Sequence, residues 1–142
     1  MTAVVDINVI LDVFQERHLH YAGPAAVLSL ISTGQLRGIC PAHGLTTVYY
    51  LMARHQDQAR ATFVIDQLLA DFMIVGLDHA GWIRSRRLSF SDFEDSAIAQ
   101  VAVETGAAWI ITRNTSHFTA SPIPAIPPIA FLSRFFPSSG IL

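Results

Sequence analysis

The 142-residue sequence predicts an α/β fold, a three-layer α/β/α sandwich in which helices cover both faces of a mostly parallel sheet. Two patterns indicate it. Short apolar segments recur along the chain, and segments with apolar residues at helical spacing separate them. This alternation is typical of crossovers between parallel strands. The chain has the length of one domain over residues 1–142, and 51% of its residues are hydrophobic, enough for a sizeable core.

The spacing of apolar residues places each element in turn. Strands are predicted over residues 4–7, 38–40, 73–77 and 108–112. Helices are predicted over residues 8–14, 18–32, 43–54, 56–71 and 79–88, and from Ser91 to Gly106. A last short strand and helix fall within residues 126–136, after a loop over residues 113–122. Ser91 is the expected N-cap of its helix because its hydroxyl can accept a backbone N–H, and Gly106 is the expected end.

The composition excludes several classes of function. The net charge of −2 excludes a general basic coating for nucleic acid, so contact with a polyanion requires a local patch or a bound cation. All nine basic residues are arginine, which excludes Schiff-base chemistry and the phosphate-binding lysine of a P-loop. The single cysteine, Cys40, excludes an intrachain disulfide and a cysteine-rich zinc site, and fits the cytoplasm. No apolar run reaches the roughly 18 residues that span a membrane.

A carboxylate stands at the end of the first predicted strand. Ligands of parallel α/β sheets bind beyond the carboxyl ends of the strands, which makes Asp6 the first candidate for a functional residue. Two interpretations of Asp6 remain open. It can cap the next helix, as aspartate does well, or it can serve as a metal ligand or general base.

A second group of carboxylates opens the sixth predicted helix, in the sequence Asp92-Phe93-Glu94-Asp95. Asp92 and Asp95 are three residues apart, so on a helix they share a face and can converge on one cation or phosphate. Glu94 is expected to point elsewhere and to interact only with the positive end of the helix dipole. Phe93 is expected to pack in the core, as aromatic residues at helical spacing usually do.

Polar residues follow the fourth predicted strand. Thr112, Arg113 and Asn114 offer a hydroxyl, a guanidinium and an amide that can orient a phosphate or a water molecule. His117 follows in the same loop. Elsewhere, the arginine-rich segment 84–87 allows two interpretations, as contacts to RNA phosphates or as ordinary charges at the negative end of a helix dipole.

Taken together, these segments resemble the PIN-domain nucleases. The resemblance rests on their order: an apolar strand ending at Asp6, the acidic segment 92–95 followed by alanines, and a strand leading into Thr-Arg-Asn at 112–114 and His-Phe at 117–118. It covers nearly the whole chain. Within the family, the sequence resembles the bacterial branch that serves as toxins in VapBC-type toxin–antitoxin pairs.

The resemblance implies a metal-dependent ribonuclease that hydrolyses RNA phosphodiesters with Mg²⁺ or Mn²⁺. It implies that Asp6 and Asp95 are the first and third acidic residues of the family site, with Asp92 as an auxiliary ligand and Asn114 at the fourth position. The implied auxiliary or RNA-contacting residues are Thr112, Arg113, His117 and Thr46. A separate antitoxin partner and a homodimer in the cytoplasm, with no membrane association, are also implied.

The sequence departs from the family pattern at two acidic positions. No acidic residue stands between Glu16 and Asp57, where the family has a glutamate on the third helix, and Asn114 replaces the fourth acidic residue. A full four-carboxylate, two-metal site is therefore not expected within one chain. Fewer charges should weaken Mg²⁺ binding, and the imidazole of His117 suits Mn²⁺ or a role as general acid.

Two other functions remain open. The depleted acidic site also fits a PIN-like module that has lost catalysis and acts through RNA or protein contacts. An aspartyl-phosphate phosphotransferase is a more remote alternative, which the absence of lysine disfavours. Near the C-terminus, Phe131, Phe135 and Phe136 are expected to leave an apolar surface that a second protomer or a partner helix covers.

Overall fold

The computed structural model describes residues 1–138 and consists of one sheet with helices on both sides. The strands are β1 (Thr2–Val5), β2 (Arg37–Pro41), β3 (Met73–Val75), β4 (Trp109–Ile111) and β5 (Ala125–Ile126). The helices are α1 (Ile7–Phe14), α2 (Ala22–Ser32), α3 (Ala42–His55), α4 (Gln58–Asp71), α5 (His79–Arg87), α6 (Phe93–Thr105) and α7 (Pro128–Phe135). Two short 3-10 turns span His18–His20 and Thr115–Phe118.

The strand order β3-β2-β1-β4-β5 places the first strand at the centre of the sheet. The chain moves outward from β1 to β3 and then returns to the other side of β1 for β4 and β5. All pairings are parallel, with Val4 opposite Ile39 and Val5 opposite Ile111. The order therefore reverses between β1 and β4, and a crevice forms beyond their carboxyl ends.

The sheet separates two apolar clusters, because successive strand residues point to opposite faces. Ala3 and Val5 face the cluster that α1, α2, α3, α4 and α7 cover. Val4 and Ile110 face the other cluster, which α6 covers. The predicted three-layer α/β/α arrangement is therefore confirmed.

Two boundaries in the first part of the chain differ from the prediction. β1 ends at Val5 and α1 begins at Ile7, so Asp6 is the N-cap of α1 rather than a strand residue. The predicted helix 18–32 begins as a 3-10 turn and becomes α2 only at Ala22.

The cap of α6 is also different from the prediction. Asp92, not Ser91, is the N-cap, because the Oδ1 atom of Asp92 accepts the backbone N–H of Asp95 at 3.0 Å. Either residue type can cap a helix, and the backbone path decides which one does. The predicted end is confirmed: Gly106 has a φ of 67°, a left-handed conformation that glycine adopts without strain.

The C-terminal aromatic residues pack against their own chain, so the predicted exposed apolar tail is wrong. Phe131 is fully buried, and its ring centre lies 5.1 Å from that of Phe135 and 5.9 Å from that of Phe136. Phe135 also lies 5.8 Å from the Trp109 ring. These rings complete the apolar cluster beneath α7, which the sequence pattern alone could not show. No helix within residues 1–138 is long and apolar enough to cross a membrane.

Candidate active site

Asp6 lies directly beyond the end of β1, where the strand order reverses. It is buried, with 3% of the residue exposed. Its Oδ2 atom accepts a hydrogen bond from the Thr112 hydroxyl at 2.8 Å, and its Oδ1 atom accepts the backbone N–H of Asn8 at 3.4 Å. Burial raises the pKa of Asp6, whereas these hydrogen bonds lower it. The N-cap interpretation is confirmed, and the interpretation as a metal ligand stays a prediction.

Thr112 sets the orientation of this carboxylate. It is the first residue after β4, it is fully buried, and its backbone N–H donates to the carbonyl of Ile126 at 3.0 Å. Its hydroxyl oxygen accepts the backbone N–H of Asn114 at 3.1 Å, so its proton is directed to Asp6. Asn114 then begins the 3-10 turn that carries His117. The structure thus brings the predicted loop residues to the same edge as Asp6.

Asp95 lies in the first turn of α6 and faces the loop after β4. Its Oδ2 atom is 3.5 Å from Nδ1 of His117, and 17% of its side chain is exposed. Burial raises the pKa of Asp95 to about 6, and the negative charges of Asp92 and Asp6 add to this effect. Asp92, Asp95 and Asp6 therefore act on one another electrostatically, as expected for residues that converge on one site.

Glu94 is exposed in the first turn of α6, and the prediction that it interacts only with the helix dipole is incomplete. Partial burial raises the pKa of Glu94, and the negative charges of Asp6 and Asp92 raise it further. Glu94 therefore adds negative charge to the surroundings of Asp6 and Asp92, while its side chain remains open to solvent.

The donor set fits a hard divalent cation by its chemistry, because Mg²⁺ and Mn²⁺ prefer carboxylate oxygens. A cation would also relieve the repulsion that raises the pKa values of Glu94 and Asp95. Within residues 1–138, no three side chains of histidine, cysteine, aspartate or glutamate are already grouped closely enough to hold an ion.

Arg113 pairs with a carboxylate that sequence analysis did not single out. Asp12 is fully buried; its Oδ2 atom accepts Nε–H of Arg113 at 2.6 Å and its Oδ1 atom accepts an Nη2 hydrogen at 3.1 Å. Arg17 approaches the same carboxylate at 3.3 Å. The predicted phosphate contact of Arg113 therefore competes with this ion pair. The signal in the sequence is a lone aspartate in an apolar helix, which needs a buried partner.

Helix α3, where the resemblance leads one to expect a glutamate, brings His43 to the site. Burial lowers the pKa of His43, and the negative charge of Asp6 opposes this effect. The predicted RNA contact Thr46 lies one turn further along α3 and is exposed. The available signal for His43 is its position in the first turn of a helix that starts directly after the carboxyl end of β2.

Three solved structures share this architecture. The chain is similar to VapBC2 from Rickettsia felis bound to a DNA fragment from their promoter, with 15% identity and a TM-score of 0.70 over 89% of this chain and 98% of that chain. It is similar to FitAB bound to an IR36 DNA fragment, with 15% identity and a TM-score of 0.68 over 89% and 94% of the two chains. It is also similar to VapBC-1 from nontypeable Haemophilus influenzae, with 14% identity and a TM-score of 0.68 over 91% and 99%. Comparison with curated protein sequences finds no significant match.

The fold and the site together define an α/β protein with a carboxylate cluster at the switch point of a parallel sheet. Residues 2–116 match the family model of the PIN domain. The chain therefore belongs to the PIN domain family, as the order of its motifs suggested.

Proposed function

We propose that this protein is a divalent-metal-dependent endoribonuclease and the toxin of a type II toxin–antitoxin pair. The observation that carries the proposal is the buried carboxylate of Asp6 at the switch point of the sheet, oriented by the Thr112 hydroxyl, in a chain that matches the PIN domain model over residues 2–116. Elsewhere in the chain, the buried Asp12 is neutralised by arginine. Within residues 1–138, no arginine forms an ion pair with Asp6 or with the carboxylates in the first turn of α6. Carboxylates without an arginine partner at the switch point of a sheet favour cation binding over a structural role.

The chain supplies ligands and a means of orienting them. We assign the metal to the carboxylates of Asp6, Asp92 and Asp95 and to the amide oxygen of Asn114. Mg²⁺ or Mn²⁺ bound there would polarise the phosphodiester and lower the pKa of the attacking water. The Thr112 hydroxyl, 2.8 Å from Oδ2 of Asp6, keeps one carboxylate oxygen oriented before any ligand binds.

His117 is the proposed general acid. Its Nδ1 atom lies 3.5 Å from Oδ2 of Asp95, so the Asp95 carboxylate can orient the imidazole ring. Its other nitrogen, Nε2, can then deliver a proton to the leaving oxygen of the ribose. An imidazole near the site also suits Mn²⁺ better than Mg²⁺. Arg113 and Thr46 remain proposed contacts to the RNA.

The partners follow from the same proposal. The similar structures are two-component VapBC and FitAB complexes, which supports a separate antitoxin for this chain. We further propose that the protein forms a homodimer and acts on RNA in the cytoplasm. Sedimentation of the purified chain tests the dimer, and co-purification with the product of a neighbouring reading frame tests the antitoxin.

A second function is supported by one specific observation. Within residues 1–138, no three potential ligands are close enough together to hold an ion, which fits a PIN-domain module that binds RNA or protein without cutting. A single cleavage experiment distinguishes the nuclease from the binding module.

The experiment is cleavage of a mixed RNA pool by the purified chain in EDTA, Mg²⁺ or Mn²⁺. The test variant is Asp6→Asn/Asp95→Asn. The matched control is Asp66→Asn/Asp71→Asn, which removes two carboxylates from α4, away from the cluster. We expect cleavage that needs metal, is lost in the test variant and persists in the control.

Two results would contradict the nuclease. Cleavage that survives in the test variant would assign the activity to another site or to a contaminant. No cleavage with either metal, from a folded protein free of antitoxin, would instead support the binding module.

A further inference from the structure

A row of three aromatic rings lies beside the carboxylate cluster. The ring centres of His43 and Trp82 are 5.7 Å apart, and those of Trp82 and Phe93 are also 5.7 Å apart. Both ends of the row reach the proposed active site. His43 is close enough to Asp6 for that charge to act on its pKa, and Phe93 lies between the clustered carboxylates in the sequence.

The outer part of this row is open to solvent. Phe93 is 53% exposed, so the prediction that it packs in the core is wrong, and Trp82 is half-buried. Phe93 is the first residue of α6, and its ring contacts Trp82 of α5 rather than the buried cluster beneath the sheet. Because Phe93 is exposed and Trp82 is half-buried, the outer surface of the pair is available to a ligand.

Cationic side chains lie on both sides of the aromatic pair. One shallow cleft, of about 290 Å³, is lined by Trp82, Ile83, Arg86 and Arg87. A second, of about 410 Å³, is lined by Arg86 and Phe93 among others. Arg86 and Arg87 are exposed, and within residues 1–138 neither forms an ion pair or a side-chain hydrogen bond. Arginines that flank exposed rings are complementary to the phosphates of a strand whose bases stack on those rings.

We propose that Trp82 and Phe93 form a stacking platform for a nucleobase of single-stranded RNA, next to the phosphate that the carboxylate cluster receives, while Arg86 contacts an adjacent phosphate. The inference rests on the proposed ribonuclease function and adds a site of base recognition to it. Free arginines beside the rings favour a polyanion over a protein as the occupant. Stacking tolerates every base, so the platform would select single strands more than a sequence.

Intrinsic fluorescence tests the platform directly, because the chain has only two tryptophans. Trp82 belongs to the row, whereas Trp109 begins β4 and packs against Phe135. The Trp109→Phe variant reports on Trp82 alone, and Trp82→Phe reports on Trp109 alone. Both are made in the non-cutting Asp6→Asn/Asp95→Asn protein and titrated with a single-stranded oligoribonucleotide or with an abasic oligomer of equal length.

We expect the oligoribonucleotide to quench Trp82 but not Trp109, and the abasic oligomer to quench neither. In the same background, Phe93→Ala should weaken binding of the oligoribonucleotide about 10-fold, the loss of one base–aromatic stack, and leave binding of the abasic oligomer unchanged. The matched control is Phe63→Ala, which removes a phenylalanine that is 48% exposed on α4. It should change neither affinity by more than about twofold.

The outcomes separate this inference from the function on which it rests. If the oligoribonucleotide binds but Phe93→Ala behaves like Phe63→Ala, the platform is refuted, the nuclease proposal stands, and the rings are assigned to a protein contact. If neither oligomer binds, the platform is refuted, and cleavage by the wild-type chain decides the nuclease proposal separately. Equal weakening of both oligomers by Phe93→Ala would also refute base stacking.

Discussion

Two buried aspartates near α1 have different surroundings. Asp6 accepts hydrogen bonds from neutral donors, the Thr112 hydroxyl and a backbone N–H, and burial raises its pKa. Asp12, six residues further on, accepts two hydrogen bonds from Arg113 and lies near Arg17. Within residues 1–138, Asp6 therefore has no arginine hydrogen-bonded to it, whereas the charge of Asp12 is neutralised by arginine. Asp12 therefore connects α1 to the loop after β4, which carries Asn114 and His117.

Replacing Asp12 with alanine should destabilise the protein. The change leaves the guanidinium of Arg113 without its bidentate partner, and breaking a buried pair costs 3–5 kcal/mol. Because 26% of the Arg113 side chain is exposed, we expect the lower end, about 3 kcal/mol, in urea unfolding. The more exposed pair Arg84–Glu104 is the control, and Arg84→Ala, which leaves the Glu104 contact with Gln100 in place, should cost less than about 1 kcal/mol. Equal losses in the two variants would contradict this account.

Asp95 should make the metal-free protein less stable as the pH rises. Its pKa in the folded protein is about 6, above the usual 3.8, so protonation favours folding. This stabilisation is complete below about pH 4 and is lost as the pH rises through about 6. The burial of Asp95 and the charges of Asp92, Asp6 and Glu94 cause the shift, and His117 opposes it.

The measurement compares wild type with Asp95→Asn in urea, in EDTA, at pH 4 and pH 7.5. The shift of about two units corresponds to about 3 kcal/mol, which partial solvent exposure reduces to about 1.5 kcal/mol. Between pH 4 and pH 7.5, the free energy of unfolding of the wild type should fall by this amount relative to that of Asp95→Asn. If the free energy of unfolding changes equally with pH in the two proteins, this account of Asp95 is contradicted.

At the scale of elements, two helix contacts place the site residues. Helix α3 approaches α1 at Gly44, where an added Cβ would overlap the Ile7 side chain. This contact brings His43 near Asp6. On the other side of the crevice, α5 and α6 are joined by a buried hydrogen bond between the hydroxyls of Ser85 and Ser96, 3.0 Å apart. That bond holds the helices that carry Trp82 and Phe93 next to each other.

The change Gly44→Ala tests the first contact. Alanine normally stabilises a helix interior relative to glycine by about 1 kcal/mol, but here the methyl group meets Ile7, and overpacking costs 1–3 kcal/mol. We expect a net loss of stability in urea unfolding and a weaker electrostatic effect of Asp6 on His43, measurable as a change in the imidazole pKa by NMR.

Two further variants test whether the effect of Gly44→Ala comes from its contact with Ile7. In an Ile7→Ala background, Gly44→Ala should no longer destabilise, because the overlapping methyl group is gone. Gly76→Ala should be nearly neutral, since its Cβ would lie 3.4 Å from that of Ala42, an ordinary contact. Stabilisation by Gly44→Ala in the wild-type background would contradict the close approach of α1 and α3.

At the scale of the whole molecule, the net charge of −2 limits how RNA can be held. Three of the nine arginines, Arg17, Arg84 and Arg113, form ion pairs with carboxylates. Within residues 1–138 the other six form no ion pair, and of these only Arg86 and Arg87 line the clefts beside the proposed platform. Binding should consequently depend only weakly on salt.

The expected salt dependence of RNA binding can be stated as a slope. Two phosphate contacts to a single strand predict a slope of about −1.4 for log K against log salt concentration. In the non-cutting Asp6→Asn/Asp95→Asn protein, Arg86→Gln should reduce the slope by about 0.7, whereas Arg84→Gln, at a residue paired with Glu104, should leave it unchanged. A slope several times steeper would indicate a larger basic surface than the one around Arg86.

The amino-acid sequence by itself determined the strands, the helices and their order, because short-range periodicity depends only on neighbouring residues. It also determined that Asp6 and Thr112 lie at one edge of the sheet, since the carboxyl ends of parallel strands must share an edge. It could not show which of Ser91 and Asp92 caps α6, because that choice depends on the path of the chain before the helix.

Only the tertiary structure decided which side chains meet across long sequence separations. The pairing of Asp12 with Arg113 joins residues 101 positions apart, and no local pattern encodes it. The approach of His43 to Asp6 and the contact between the Trp82 and Phe93 rings depend likewise on how helices pack. Helix packing depends on the fit between whole helix and sheet surfaces, which local sequence patterns do not describe. The sequence therefore indicates where the site lies along the chain, whereas the tertiary structure decides which side chains belong to it.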